Sequence, residues 1–600
     1  MKRILPSVFF CLLSTITSAT HLQKPLDHII NQVDPNINMG IEVVDLNTGE
    51  LLYQRNAMRT FTPASNMKLF SYAAALLVLG PDYRFKSQLS TDASTINQGT
   101  LVGSLYLHLS GDPSFTQENL DSLLSQLSHW GIERIQGNVV IVSNHSVVNP
   151  YAPGIVPKDL TYSYGAPLAP LMLDENRLSV TVNPAFQAGQ PALVELNVPD
   201  ASLVLDNQVS THATSKGCGI DYRMDQENHL VVRGCVGVGQ WAVQQRIAIR
   251  NPLRYAQETI KLRLAKLHIQ LDGQVVLGQA PSSSLLIASY TSKPINQIMA
   301  DTLKPSDNLY ADSLYLHAAA VLKGTPLNWD QAQPVVKNFI QKETGIDLQN
   351  AVLIDGSGLS RNDLLTPHQT VSLLTFLHDR FPLAYEYISA LPVAGQDGTL
   401  QRRLRKPTQQ GLVRAKTGSM TGIMSLSGYL YTANAHTLAF AIFINTTPGT
   451  KPSISGRYRS LVDTLCDFLL AQKPDSSYLA KAFNLHPHAR VSFQQRPSAA
   501  DRQRNHQAKW RRIESAVKQA LANQSVTVLF RNEQLVLIDH GADINKVWAT
   551  LQSLSKKYSF SVALQSQSSP ANAKQSPGLL WVNATSQGAV RTWTLRESVG

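Results

Sequence analysis

The 600-residue chain is 43% hydrophobic and 16% charged, too apolar for a disordered polymer and too long for one hydrophobic core, so several globular domains are implied. Its formal net charge of +11 is unevenly placed: Lys2 and Arg3 supply two charges and residues 490–600 carry 15 Lys and Arg against 6 Asp and Glu, which leaves residues 4–489 neutral. Nucleic-acid or other polyanion binding therefore has no footing outside the C-terminal tail.

In chain order, Lys2-Arg3 is followed by an apolar run over residues 4–16 and by the small residues Thr17-Ser18-Ala19. That pattern reads as a cleaved secretory signal over 1–19, and hence as a secreted, periplasmic protein; the run is shorter than the ~20 residues a spanning helix needs. Residues 40–55 alternate around Asn47-Thr48-Gly49 as a β-hairpin does, and residues 64–79 repeat Met67, Phe70, Ala74 and Leu77 at helical spacing until Gly80-Pro81. Residues 86–285 read as mostly β, with strands over 101–109, 139–142 and 178–182 and no cluster of catalytic residue types. Helical patterns return over 308–322 and 367–378, followed by strand-like runs over 411–416, 424–431 and 438–445. Residues 471–500 read as a linker, in which His486 and His488 are a solvated pair. Beyond it come a basic helix over 501–523 with a stripe of Trp510, Ile513, Val517 and Leu521, strands over 526–530 and 535–538, a helix over 543–557, and strands near Phe560, Leu579 and Trp593.

Four cysteines remain to be assigned. Cys11 leaves with the signal, Cys218 and Cys235 flank a short polar segment as hairpin partners would, and Cys466 lies in the apolar run 461–470. A Cys218–Cys235 disulfide with a buried free thiol at Cys466 is expected, and no metal site, because further Cys or His at ligand spacing is lacking.

Three short motifs carry chemistry. In Ser65-Asn66-Met67-Lys68 the i, i+3 spacing on a helix start puts a hydroxyl and an amine one turn apart, beside backbone N–H groups able to face a developing oxyanion. A lysine activates such a serine only when neutral, which requires burial or a cationic neighbour. Alone, the motif occurs by chance in most chains of this length and reads more readily as a helix-start serine with a solvated lysine. Ser306-Asp307-Asn308 adds a hydroxyl and a carboxamide before a helix, and Lys416-Thr417-Gly418-Ser419 ends a strand with a cation, two hydroxyls for a carboxylate and a glycine that admits a substrate backbone. Asp355-Gly-Ser-Gly lacks the later acidic ligands of a calcium loop and reads as a turn shaping the cleft.

The three motifs in this order are those of penicillin-binding proteins and serine β-lactamases. With the wider strings FTPASNMKLFSYAAALLVLG, KPSDNLYADSLYL, DGSGLSRNDLLTP and RAKTGSMTG, and with SGDPSF and YGAP between them, residues 25–475 resemble the class C low-molecular-mass penicillin-binding proteins, D-alanyl-D-alanine carboxypeptidases and endopeptidases. The resemblance implies an α+β fold: a penicillin-recognising, serine β-lactamase-like domain with an antiparallel sheet flanked by helices and two mostly-β inserted domains; the small C-terminal α/β module, read from its own strand and helix pattern, departs from the family pattern, and the resemblance implies nothing about it. Expected boundaries are 20–85 with 286–475 for the catalytic domain, 86–165 with 246–285 and then 166–245 for the insertions, 476–500 for the linker and 501–600 for the module. It also implies Ser65 as nucleophile, Lys68 as base, Ser306 as proton relay, Asn308 on the peptide amide and Lys416 as electrostatic support. Thr417 and Ser419 would take the terminal carboxylate, with Gly418 between them and the N–H groups of Ser65 and Ser419 as oxyanion hole. Asp159 and Arg361 are implied near a diaminopimelate side chain; an exposed turn aspartate and an ion-paired arginine are their plain structural alternatives. The implied activity is hydrolysis of peptidoglycan stem peptides through an acyl-enzyme, inhibited by β-lactams and needing no cofactor. A β-lactamase, and a wall-binding scaffold with a vestigial site, are the alternatives. The tail is expected to contact an anionic wall polymer or lipid surface, or else to pack its stripe on its own sheet.

Overall fold

Five antiparallel strands run in the order Val413–Met420, Ile423–Tyr431, Thr437–Asn445, Met39–Asp45 and Leu51–Arg55. The expected hairpin forms, with Ile41 opposite Arg55, and its first strand is zipped along the distant Thr437–Asn445, Met39 facing Ile444 and Asp45 facing Leu438. The central strands are apolar on both faces because both faces are covered. Helices Thr20–Val33 and Pro452–Leu470 pack on one side, and Met67–Leu79, Asn308–Lys323 and Pro367–His378 on the other. Val413–Met420 lies at the edge, so one side of its backbone is left for a cleft. The computed structural model describes residues 20–472, except 144–148, 170, 199–201, 434 and 447–451, together with residue 519 and residues 526–531, 534–539, 560–564 and 592–597. The expected signal segment, the linker, the strand near Leu579 and the helices over 501–523 and 543–557 lie outside the described residues, residue 519 apart.

The helix read over 64–79 begins as a 3-10 turn, Ala64–Asn66, and continues as Met67–Leu79 until Gly80, whose φ of 81° ends it. Helices Ile295–Leu303, Trp329–Thr344 and Leu383–Ala390 escape a reading by periodicity; Trp329–Thr344 carries Pro334 inside it, a residue that reads as a breaker. The stretch read as mostly β also contains Gln117–Leu124, opened by a Thr116/Asn119 capping box, and Pro252–Lys266, capped by Asn251. Its strands form a five-stranded sheet (Val275–Gly278, Val139–Ser143, Leu105–Leu109, Lys86–Thr91, Leu285–Thr291), a four-stranded sheet of two-residue strands (Gln270–Leu271, Arg134–Ile135, Thr100–Leu101, Ile96–Asn97) and two three-stranded sheets. One of these joins Leu193–Leu196, Arg177–Asn183 and Val243–Ala248, and the other Val204–His212, His229–Gly237 and Ile220–Met224.

Cys218 and Cys235 form a disulfide, and Cys466 is a buried thiol pushed up to about 12 by burial. The fold brings His212 beside the bridge, a neighbour that chain spacing did not reveal, but bonded sulfurs are not thiolate ligands. Among the described residues no helix is long and apolar enough to cross a membrane.

The chain divides into two compact units, Met1–Asp475 and Ser476–Gly600. In the second, four antiparallel strands run in the order Val526–Arg531, Gln534–Asp539, Thr592–Glu597 and Phe560–Leu564.

Candidate active site

Ser65 is held at the foot of the buried Met67–Leu79 helix by a strained turn: Ala64 before it has φ 48°, a region that non-glycine residues rarely occupy. One turn on, Lys68 is fully buried, and its Nζ donates to Ser65 Oγ at 3.0 Å, Asn308 Oδ1 at 2.6 Å and the Ser357 carbonyl at 2.7 Å. Burial pulls the ammonium down to about 8, against the opposing charges of Asp312, Asp355, Asp307 and Asp363. The structure thus excludes the solvated-lysine reading of this motif. A neutral amine 3.0 Å from a hydroxyl can take its proton.

Three carboxyls sit in the wall behind Lys68. Asp355 accepts from the N–H groups of Gly358 and Ser360 and from Ser357 Oγ, which shapes the Asp355-Gly-Ser-Gly turn so that the Ser357 carbonyl meets Lys68. Burial, and then the charge of Asp355, raise Asp312 and Asp363 well above the usual carboxylate range. Gly358 is required here by close approach: a Cβ would fall 1.9 Å from the Ala64 carbonyl, and its φ is +77°.

Ser306 also has a left-handed φ, 68°, and precedes helix Asn308–Lys323, which Asp307 caps by accepting from Tyr310 N–H. The Asn308 carboxamide is engaged at both ends, its oxygen by Lys68 and its Nδ2 by the Tyr164 carbonyl at 2.8 Å. Lys416 is fully buried in the edge strand, and its Nζ donates to Ser306 Oγ at 2.7 Å and the Thr417 carbonyl at 2.8 Å. Burial, and then the charge of Lys68, push Lys416 well below its ordinary value.

The strand read over 411–416 spans Val413–Met420, so Lys416-Thr417-Gly418-Ser419 forms its C-terminal part, with only Met420, paired with Ile423, beyond it. Gly418 serves a purpose not foreseen from sequence. A Cβ there would lie 2.1 Å from Ser425 Oγ and 3.0 Å from the Ser65 nitrogen, so glycine lets the edge strand press against the turn that carries Ser65. Asn66 clamps the same junction, its Nδ2 donating to the Lys416 carbonyl and to Ser425 Oγ. Thr417 Oγ1 donates to Thr399 Oγ1 at 2.7 Å.

These groups line a cleft of about 710 Å³ that includes Ser65, Ser306, Asn308, Thr417 and Ser419, and also Asp159 and Arg361. Asp159 accepts from Tyr164 Oη, and Arg361 donates to the Thr421 carbonyl without a carboxylate partner among the described residues, which removes its ion-pair alternative. Sequence reading found no cluster of functional residues within 86–285. The structure places Lys158, Asp159 and Tyr164 in the cleft wall and brings Arg177 onto Asp307. Lys158, Asp159 and Tyr164 lie on the short 3-10 turns Pro157–Thr161 and Ser163–Gly165 and Arg177 on a strand, all remote in sequence from the three motifs they meet.

An antiparallel sheet with helices on both faces, an edge strand facing a buried Ser-x-x-Lys helix, and a second serine between them define a penicillin-recognising, serine β-lactamase-like hydrolase fold. The chain belongs to the D-Ala-D-Ala carboxypeptidase 3 (S13) family, whose model matches residues 22–463. It is similar to the D-alanyl-D-alanine carboxypeptidase DacB of Haemophilus influenzae, 31% identical over 416 residues covering 68% of this chain and 85% of that protein. A D-alanyl-D-alanine carboxypeptidase of Actinomadura is 31% identical over 451 residues, covering 72% of this chain and 82% of the relative. The crystal structure of penicillin binding protein 4 (dacB) from H. influenzae superposes with a TM-score of 0.67 at 29% identity, covering 74% of this chain and 99% of that one. The same protein complexed with a β-lactam gives a TM-score of 0.63 at 28% identity.

Proposed function

We propose that this protein is a serine DD-peptidase that cleaves peptidoglycan stem peptides after D-alanine through an acyl-enzyme at Ser65. The observation that carries this reading is the Lys68 amine, buried, lowered to about 8 and 3.0 Å from Ser65 Oγ. Ser65 Oγ attacks the carbonyl carbon of the penultimate D-alanine and its proton passes to Lys68 Nζ. The oxyanion is held by the N–H groups of Ser65 and Ser419. The C–N bond then breaks, and the proton that Lys68 accepted is relayed to the leaving amine through Ser306 Oγ, which Lys416 orients, so that Lys68 is neutral again. Thr417 and Ser419 hold the terminal carboxylate, whose negative charge favours the protonated form of Lys416. Asn308 contacts the peptide amide, and Asp159 and Arg361 receive the acyl-side residue. Water, deprotonated by Lys68, releases the acyl group and regenerates Ser65. A β-lactam acylates the same oxygen, but its nitrogen stays tethered to the acyl half and shields the ester from water.

The signal-like N-terminus and the Cys218–Cys235 bridge support an oxidising, periplasmic compartment. The basic tail is suited to an anionic wall polymer or lipid surface. The test of the central reading is intact-protein mass spectrometry after exposure to benzylpenicillin, with D-alanine release measured on a D-Ala-D-Ala peptide. One penicilloyl adduct is expected, absent in Ser65→Ala, and adduct formation in that variant refutes the assignment of the nucleophile.

A further inference from the structure

The Ser65 cleft lies at the Val413–Met420 edge of the five-stranded sheet. A second cavity, of about 630 Å³, lies against Met39–Asp45, separated from that edge by Ile423–Tyr431 and Thr437–Asn445. The two share no lining residue. Along Met39–Asp45 the side chains alternate: Ile41 and Val43 enter the core beneath helices Thr20–Val33 and Pro452–Leu470, so Glu42 and Val44 face helix Pro367–His378. An apolar residue suits such a face, and a glutamate does not. Glu42 is nonetheless only 4% exposed, and it lines the cavity.

The two oxygens of Glu42 share one partner among the described residues, His368 Nδ1, 3.1 Å from each. A carboxylate has about four acceptor positions, so a buried one served by a single donor is under-satisfied. The remaining wall favours a positive charge. Helix Trp329–Thr344 ends here, with Thr344 and its C-cap Gly345 lining the space, which brings the last carbonyls and the negative end of the helix dipole to the wall. Asp347 adds a second carboxylate, and no Lys or Arg lines the cavity. Ile346, Val371 and Phe376 make its apolar side, and the Phe376 ring already receives a cation, the Arg380 guanidinium 4.4 Å from its centroid. Hydrolysis at Ser65 uses none of these groups.

We propose that this cavity binds an alkylammonium, with its head on the Glu42 carboxylate beside His368 and its hydrocarbon stem along Ile346, Val371 and Phe376. The head supplies the charge-assisted hydrogen bonds that Glu42 lacks, and the space falls within the ~300–1,000 Å³ typical of small-molecule sites. A free organic amine and a lysine side chain of a peptide share this chemistry.

Isothermal titration calorimetry of the full chain with n-hexylamine, n-hexanol and hexanoate tests the site. Hexylamine, protonated at neutral pH, should bind once per chain, and the uncharged and anionic probes at least about tenfold more weakly. Glu42→Gln, which keeps the shape and removes the charge, should weaken hexylamine by at least about tenfold. Ser372→Trp fills the space from the helix while leaving Glu42 and His368 in place. It should abolish binding, and it keeps the test decisive if Glu42→Gln does not fold. Benzylpenicillin acylation should stay within about twofold of wild type in both variants, since neither residue lines the Ser65 cleft. Hexanol binding as tightly as hexylamine, hexylamine binding unchanged in Glu42→Gln or Ser372→Trp, or no saturable hexylamine binding to wild type overturns the site. With Nα-acetyl-lysine amide as a fourth probe, tighter binding than hexylamine identifies a peptide side chain as the occupant and weaker binding a free amine; either result supports the site.

Discussion

Arg177, on a strand of the long segment between the first two motifs, grips Asp307, the central residue of Ser306-Asp307-Asn308, with both of its terminal nitrogens, the Nη2 bond to Oδ1 measuring 3.0 Å. The guanidinium is almost fully buried, donates through Nε to the Ser163 carbonyl, and is shared with Glu175. Burial works to raise Asp307, yet the charge and hydrogen bonds of Arg177 prevail and hold it below its ordinary value. The strained Ser306 backbone is therefore fixed from outside the sheet that holds the other motifs.

Removing Arg177 leaves a buried aspartate without its partner, so Arg177→Ala should cost about 3 kcal/mol of stability. It should also slow penicillin acylation by loosening Ser306 and Asn308. Thermal unfolding and stopped-flow acylation measure the two effects. If acylation in a folded Arg177→Ala protein equals that of wild type, the clamp does not position the site. Arg177→Lys, which keeps the charge but loses the fork, should fall between the two.

The Lys68 amine sets the pH dependence. Below about 8 it carries a proton and cannot accept another, so the acylation rate constant should rise with pH and level off above that value. Lys68→Ala should lower acylation by ~10² to 10⁴ with the fold retained. A profile that stays flat through this range, or a folded Lys68→Ala protein within a few-fold of wild type, would assign the base elsewhere. Lys416, also depressed but hydrogen-bonded to Ser306 rather than Ser65, is the residue to examine next.

Gly418→Ala tests the packing of the edge strand on the nucleophile's turn. The added methyl meets Ser425 Oγ, the Pro63 carbonyl and the Ser65 nitrogen, and two of those three are backbone atoms that cannot swing away. Acylation should fall at least about tenfold, and G418A/S425A should recover only part of it because the backbone contacts remain. Full activity in Gly418→Ala would mean that the strand and the turn separate easily.

Deletion of residues 490–600 removes a charge of +9. Acylation by penicillin should be unaffected, and retention on isolated peptidoglycan or anionic vesicles should weaken, most clearly at low salt where screening is least. Unchanged retention at low ionic strength rejects anchoring by the tail. Lost acylation would make the tail structurally part of the catalytic body.

The three motifs were legible because each is a local string whose residue types are dictated by chemistry: Ser65 with Lys68, Ser306 with Asn308, and the Lys416 strand. The central hairpin and the buried helix were legible because alternation and helical spacing are also local. Arg177, Asn66 and Ser425 were not, since each matters for a partner more than 100 positions away and carries no pattern of its own. The packing constraint on Gly418 was hidden for the same reason: the strand could be read, but the turn packed against it could not. Helix Trp329–Thr344 was obscured by Pro334, tolerated inside an element whose other face is anchored by Trp329, Val336 and Ile340.

The pairing of Met39–Asp45 with Thr437–Asn445 has a temporal consequence. Met39–Asp45 finds Leu51–Arg55 at once but must wait for a strand about 400 residues later before it acquires its second neighbour, and the bond from Asn66 to Lys416 spans 350 positions. Assembly of the sheet is thus dominated by distant contacts, which are slow to form. Until that closure the nucleophile's turn has no strand to lean on and Lys68 has no cavity to strip its charge. A nascent chain, or one shortened so that it lacks Thr437–Asn445, accordingly cannot hydrolyse anything, and covalent labelling by penicillin reports completion of the entire sheet rather than the presence of Ser65.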